Sequence, residues 1–114
     1  MNNERKYIAI SIKHSVWSQK RFKTMKYQLW GSRTNDDEKR SFSGYTFDPS
    51  KCEVYSLEDW KNSVHYKASC MKVDEPVKVT FNLCKKYEKY DTVLVDIDDY
   101  MKYLEYVDDD RNFN

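Results

Sequence analysis

Histidine, cysteine and carboxylate side chains can act as acids, bases or nucleophiles, and this sequence spaces them widely. His65 and Cys70 lie close together, as a thiol–imidazole pair can, but no third polar group stands beside them to orient the pair. His14 follows an apolar segment, where a lone histidine is equally typical of an exposed loop. We therefore predict no catalytic residue and favour a non-enzymatic role over an enzyme that acts on a nucleotide.

The three cysteines, Cys52, Cys70 and Cys84, have neither metal-site nor disulfide spacing. A zinc site takes about four ligands at recognisable spacing, and the sequence contains no CxxC or HxxxH motif. Residues 96–99 lack the glycine and the register of a calcium loop, and two glycines cannot build a glycine-rich phosphate loop. We predict no metal, no cofactor and three free thiols, as is typical of reduced cytoplasmic proteins.

Acidic side chains are concentrated at the end of the chain, where residues 91–114 hold eight Asp/Glu against two Lys/Arg. One interpretation is the solvated face of a capped helix. The other is a docking surface that imitates nucleic-acid phosphate towards a basic partner. On the second interpretation, the partner-binding residues are Asp98, Asp99, Glu105, Asp108 and Asp109.

Basic side chains are concentrated at the start, where residues 1–40 hold ten Lys/Arg against four Asp/Glu. Aromatic residues interleave with these cations. That mixture suits a nucleotide or a nucleic acid, because bases stack on aromatic rings while cations meet phosphate. The pI of about 7.6 argues against a dedicated DNA-binding protein. An alternative ligand- or phosphate-binding site comprises His14, Trp17, Lys20, Arg21 and Lys23.

Alternating apolar residues predict three strands in the first half of the chain, at residues 7–13, 25–30 and 42–47. A basic connection, residues 14–24, joins the first two strands. Gly44 interrupts the third strand and indicates a bulge or a close backbone approach.

The second half mixes both element types. Its predicted elements are a helix at about residues 57–65, a strand at 77–83, a buried strand at 92–95 and a helix at 97–107. Ser56 and Asp59 have capping-box form. Cys84, Tyr87 and Tyr90 recur at a spacing of three, so residues 77–90 remain open between strand and helix.

This order of elements predicts an α+β fold, a mainly antiparallel sheet of about four to five strands with two helices packed on it. Residues 1–114 form a single domain, and residues 108–114 are a frayed tail. The predicted core residues are Ile8, Ile10, Ile12, Tyr27, Leu29, Leu94, Met101 and Leu104.

Composition indicates a folded, very polar protein. The mean hydropathy is −0.96, yet the chain contains ten Tyr, three Trp and five Phe, whereas disordered chains are poor in aromatics. No apolar run is long enough to span a membrane, and the N-terminus lacks the apolar region of a secretory signal. We therefore predict a cytoplasmic protein with no membrane partner.

Several short segments carry a resemblance that spans most of the chain. They are residues 7–15, which read YIAISIKHS, and residues 29–31, 44–46, 55–59 and 90–95. In these segments the chain resembles small uncharacterised proteins of bacteriophages and mobile elements.

The resemblance implies a function in the cytoplasm of a bacterial host. Phage accessory proteins of this size often counter host immunity. The expected function is a non-enzymatic, anti-CRISPR-like inhibitor that binds a host defence protein, such as a nucleic-acid-binding effector. The alternative is a protein that sequesters a nucleotide signal, either a cyclic nucleotide or cyclic ADP-ribose. The oligomeric state stays open.

Overall fold

The chain forms an α+β fold in which short helices surround one antiparallel sheet. The structure is a computed structural model that describes residues 4–37, 39–68, 73 and 75–109, without the side chains of residues 108 and 109. Its elements follow the chain in the order β1 (Tyr7–Ser11), α1 (Ile12–Phe22), β2 (Leu29–Trp30), β3 (Tyr45–Thr46), α2 (Leu57–Lys61), α3 (Val64–Ala68), α4 (Leu83–Lys86), β4 (Thr92–Asp96) and α5 (Ile97–Asp109). The predicted fold class is confirmed.

Strand β1 lies inside the sheet, whose order is β3-β2-β1-β4 with every pair antiparallel. It pairs with β4 along its whole length, from Tyr7 opposite Asp96 to Ser11 opposite Thr92. Side chains alternate between the two faces of a strand, so β1 and β4 contribute apolar residues to both faces. An apolar cluster therefore covers each face of the sheet.

The larger apolar cluster lies on the face to which Ile8 and Ile10 contribute. Tyrosines fill much of it, and their hydroxyls bond to the backbone. The Tyr27 N–H donates to the Tyr100 hydroxyl at 3.1 Å, and the Tyr103 hydroxyl donates to the Met25 carbonyl at 2.8 Å. These bonds join α5 to the segment that leads into β2. A tyrosine core can thus bury large rings without leaving polar atoms unpaired.

The smaller cluster lies on the opposite face, where Trp60 packs with Tyr55, Ala9 and Leu94. The predicted capping box is present at the start of α2. The Ser56 hydroxyl accepts from the Asp59 N–H at 3.0 Å, and the Asp59 carboxylate accepts from the Ser56 N–H at 2.8 Å. The predicted single helix over residues 57–65 is divided into α2 and α3 at Asn62 and Ser63.

Residues 14–24, predicted as a connection, lie almost entirely in α1. The helix begins at Ile12, so the predicted continuation of the first strand to Lys13 was wrong. Its buried positions are Ile12, Ser15 and Ser18, and two serines give no apolar stripe for a pattern to detect. The Ser15 hydroxyl accepts from the Gln28 N–H at 2.8 Å, which fixes α1 against the approach to β2.

Two other strand predictions were too long, and a third was wrong. The strands predicted at residues 25–30 and 42–47 are reduced to β2 and β3, of two residues each. Residues 77–83 are not a strand, although the Val77 N–H donates to the Leu94 carbonyl at 2.8 Å beside the outer edge of β4. The helical alternative holds from Leu83, where α4 begins. The described residues therefore contain four strands and five helices, rather than two helices.

The predicted core is confirmed at Ile8, Ile10, Ile12, Tyr27, Leu29 and Leu94, all buried. Leu104 is half-buried against the larger cluster. Met101 is wrong, because its side chain is 45% exposed on the outer side of α5. The helix continues through Asp109 and includes the first two residues of the predicted tail, whereas residues 110–114 lie outside the described residues. No helix in the described ranges is long and apolar enough to cross a membrane.

Replacing Ile10 by Ala should lower the free energy of unfolding by about 2–5 kcal/mol, because the change leaves a cavity in the central strand. Met101→Ala is the matched control on an exposed position and should change stability by about 0.5 kcal/mol or less. Urea denaturation followed by circular dichroism measures both. Equal losses in the two variants would contradict this assignment of the core.

Candidate functional site

The outer side of α5 presents acidic and apolar side chains together with one exposed cation, Lys102. Asp98 and Glu105 are exposed and stand seven positions apart, which is about two helical turns. Between and beside them, Met101 is 45% exposed and Tyr106 is 65% exposed. We call these four residues the acidic face of α5. Asp108 and Asp109 continue the same helix, and their side chains lie outside the description.

Asp99, predicted to contact a partner, is half-buried and holds part of the fold. Its carboxylate accepts a hydrogen bond from the Val79 N–H at 2.8 Å and so holds the extended segment beside β4. Asp96 accepts from the Asp98 N–H at 2.8 Å and lies 3.6 Å from the Lys6 ammonium. The predicted acidic set is therefore reduced to Asp98 and Glu105 among the side chains that the structure both describes and leaves exposed.

The predicted basic and aromatic residues lie on one helix rather than on a loop. His14, Trp17, Lys20 and Arg21 are exposed on α1, and Lys23 ends the helix in the left-handed conformation with φ of 51°. His14, Trp17 and Arg21 follow a spacing of three and four, so they share one side of the helix. The Arg21 guanidinium lies 5.9 Å from the Trp17 ring centroid. Lys20 and Arg21 in the last turn also complement the helix dipole.

A row of four rings joins α1, the β2–β3 edge and α3. The ring centroids of His14 and Tyr45 are 3.9 Å apart, those of Tyr45 and Trp30 are 4.1 Å apart, and those of Trp30 and His65 are 4.0 Å apart. The Trp30 indole N–H donates to the Thr92 hydroxyl at 3.2 Å. Both histidines thus belong to one aromatic row, which no sequence spacing indicated.

Hydrogen bonds orient both imidazoles. His65 Nε2 donates to the Phe42 carbonyl at 2.9 Å, and His14 Nδ1 lies 2.9 Å from the Ser11 hydroxyl. A serine hydroxyl beside a histidine can act as a nucleophile, because the imidazole can accept its proton. Ser11, however, is only 2% exposed, so its hydroxyl does not reach a substrate. The row is suited to stacking rather than to nucleophilic chemistry.

A buried ion pair, Arg40 with Glu53, was missed by the sequence analysis. The side chains are 6% and 0% exposed, and Arg40 Nη1 lies 2.9 Å from Glu53 Oε1. The carboxylate also accepts from the backbone N–H groups of Ser41 at 3.1 Å and Val54 at 3.0 Å. A charged residue in sequence normally indicates exposure, so no pattern could reveal this pair.

The loop between β2 and β3 packs closely around that ion pair. Gly31 has φ of +81°, and a Cβ there would lie 2.8 Å from the Cβ of Glu53. The Tyr55 hydroxyl donates to the Ser41 carbonyl at 2.6 Å. The ion pair and these contacts hold the loop to the sheet beside the aromatic row.

Two of the cysteines are free and buried, Cys52 and Cys84, which confirms the prediction for both. Burial raises the pKa of each thiol to about 11, and in Cys52 this outweighs the opposing effect of Arg33. A thiol with a raised pKa is a poor nucleophile at neutral pH. Cys70, and with it the His65–Cys70 pairing, lies outside the described residues.

Among the residues that the structure describes, no group of three or more His, Cys, Asp or Glu side chains could hold a metal ion. Comparisons with known proteins give no relative: no protein-family model, no curated protein and no solved structure matches the chain. The exposed surfaces of α1 and α5 are the candidate binding surfaces.

In the native protein at pH 8, Cys52 and Cys84 should react slowly with a thiol reagent such as DTNB. Burial keeps them protonated and inaccessible. Under denaturing, non-reducing conditions all three cysteines should titrate. A denatured count of one thiol would reveal a disulfide and contradict the prediction.

Glu53→Leu should lower the free energy of unfolding by about 3–5 kcal/mol, because it leaves Arg40 charged and buried without its partner. The double variant Arg40→Met/Glu53→Leu removes both charges and should recover much of that loss. Chemical denaturation of the wild type, the single variant and the double variant measures the coupling. A double variant no more stable than the single variant would show that the ion pair does not account for the loss.

Proposed function

We propose that the chain is a non-enzymatic, phage-type inhibitor that blocks a bacterial defence protein by binding it through the acidic face of α5. The resemblance of the chain to phage and mobile-element proteins supplies the biological setting. The observation that carries the proposal is the side-chain composition of that face, in which exposed Met101 and Tyr106 lie among Asp98 and Glu105.

The acidic face is held firmly enough to serve as a binding surface. The opposite side of α5 buries Tyr100, Tyr103 and Val107 in the larger apolar cluster. The Tyr100 hydroxyl accepts from the Tyr27 N–H and the Tyr103 hydroxyl donates to the Met25 carbonyl, and these bonds tie the helix to the approach to β2. A partner would therefore meet side chains on an ordered helix and would lose little conformational entropy on binding.

The chemistry of the face suits a basic partner. Tyrosine and methionine are enriched in protein–protein interfaces, where they supply buried apolar area. Carboxylates around them steer a basic surface into contact and discourage acidic competitors. A nucleic-acid-binding effector of the host has such a surface, because it must neutralise phosphate. Occupying that surface would block its access to nucleic acid.

A second candidate function, sequestration of a nucleotide signal, is favoured by the side chains on α1. Trp17 is 59% exposed and can stack on a base, while Arg21 and Lys20 can meet phosphate. A signal-binding protein should bind a cyclic nucleotide or cyclic ADP-ribose saturably, whereas an inhibitor of an effector should co-purify with a protein. The first function depends on side chains of α5 and the second on side chains of α1.

Neutralising four carboxylates of α5 should abolish inhibition while leaving the fold intact. The variant combines Asp98→Asn, Glu105→Gln, Asp108→Asn and Asp109→Asn, and it keeps Asp99 because that carboxylate holds Val79. A phage-protection assay in cells, which measures phage survival against the host defence, gives the readout. The matched control, Glu4→Gln/Glu58→Gln/Glu75→Gln/Glu88→Gln, neutralises four exposed carboxylates elsewhere. The basic set, Lys20→Glu/Arg21→Glu/Lys23→Glu, is assayed in parallel.

Loss of protection only in the acidic variant supports a protein target, and loss only in the basic variant supports a phosphate-bearing ligand such as a nucleotide. With the purified partner, the association rate should fall as salt rises, since the Debye length shrinks from about 10 Å at 0.1 M to 3 Å at 1 M. If both variants fold and protect the phage fully, the charged residues of α1 and α5 are only solvated surface and the proposal is wrong.

A further inference from the structure

The antiparallel pairing of β1 with β4 brings α1 and α4 to the same end of the sheet. Ser11, the last residue of β1, pairs with Thr92, the first residue of β4. Helix α1 follows β1 directly, and α4 lies a few residues before β4. The Ile12 N–H donates to the Asp91 carbonyl at 3.0 Å, and the Cys84 thiol lies 3.9 Å from the Ile12 carbonyl oxygen. Helices α1 and α4, which are far apart in sequence, thus lie next to each other.

This end of the molecule exposes more cations than carboxylates, although Glu88 and Asp91 are exposed after α4 and the whole chain has a net charge of only +1. Between Glu4 and Asp36 the sequence contains no acidic residue. The exposed cations are Lys13, Lys20 and Arg21 on α1 and Lys85 and Lys86 on α4. Within the described part of the chain, none of these five lies in an ion pair. Their charge is available to a ligand.

Large aromatic rings are exposed among those cations. Trp17 is 59% exposed, Phe22 is 56% exposed and Phe81, just before α4, is 67% exposed. The Arg21 guanidinium lies 5.9 Å from the ring centroids of both Trp17 and Phe22. Exposed apolar rings rimmed by charge mark interaction sites, because a folded chain otherwise tends to bury them.

We propose that this basic–aromatic end, formed by the five cations and three aromatic residues named above, binds single-stranded nucleic acid. A single strand offers what the surface demands: unpaired bases that stack on rings and phosphates that recur along the chain. A duplex hides the faces of its bases. Carboxylates alone would satisfy the cations and leave the rings without partners.

The extent of the surface favours a strand over one nucleotide. Helix α1 has 11 residues and is about 16 Å long, and its cations stand near both ends. The cations of α4 enlarge the surface further. One nucleotide cannot span this distance, whereas a strand of several nucleotides can. The site does not depend on the acidic face of α5 and can be tested without any protein partner.

Binding of a labelled oligothymidylate of about 15 nucleotides, followed by fluorescence anisotropy, tests the proposal on the full chain. Lys20→Glu/Arg21→Glu should weaken binding at least tenfold and reduce the slope of log affinity against log salt by about 1.4, or about 0.7 for each lost phosphate contact. Trp17→Ala should weaken binding by about tenfold through lost stacking. Lys85→Glu/Lys86→Glu should also weaken binding, because α4 belongs to the same surface.

The matched control is Lys61→Glu/Lys67→Glu, the same charge change on exposed residues of α2 and α3, and it should retain most of the affinity. Circular dichroism verifies that every variant is folded. Four outcomes would overturn the proposal: no binding by the wild type, an equal loss in the control, duplex bound as tightly as single strand, or binding to anionic lipid vesicles without binding to the oligonucleotide.

Discussion

The pairing of β1 with β4 is the constraint on which the rest of this structure depends. Ile8 and Ile10 lie opposite Val95 and Val93, and the residues between them face the other side of the sheet. A shift of one residue would move each of these side chains to the opposite face, away from the residues with which it packs. An apolar cluster covers each face of the sheet, so the packing on both faces specifies the same register.

The same pairing decides where the principal helices begin. Helix α1 starts where β1 ends, and α5 starts where β4 ends, at the opposite end of the sheet. The Ile97 N–H donates to the Lys6 carbonyl at 2.9 Å, which matches the bond from Ile12 to Asp91 at the other end. The starting points of α1, which carries exposed cations, and of α5, which carries exposed carboxylates, are thereby separated by the length of the sheet.

A core rich in tyrosine lets such a polar chain fold. Tyr27, Tyr55 and Tyr100 are fully buried, and each of their hydroxyls forms a hydrogen bond with a backbone group. Burial raises the pKa of the Tyr27 and Tyr55 hydroxyls well above the ordinary value, so both stay neutral. Because the rings are large and their polar tips are paired, relatively few aliphatic residues are needed. The charged side chains are then left for the surface.

The sequence by itself determined the features that depend on local pattern. Alternation located β1, a short apolar run located β4, the capping box located α2, and the apolar stripe located α5. Only the tertiary structure decided features that depend on residues distant in sequence. Serines on the buried side of α1 left no apolar stripe, and a buried Glu53 is stable only beside Arg40. His14 and His65 meet through Trp30 because the sheet brings their helices together, and pairwise contacts of that kind leave no periodic signal in the chain.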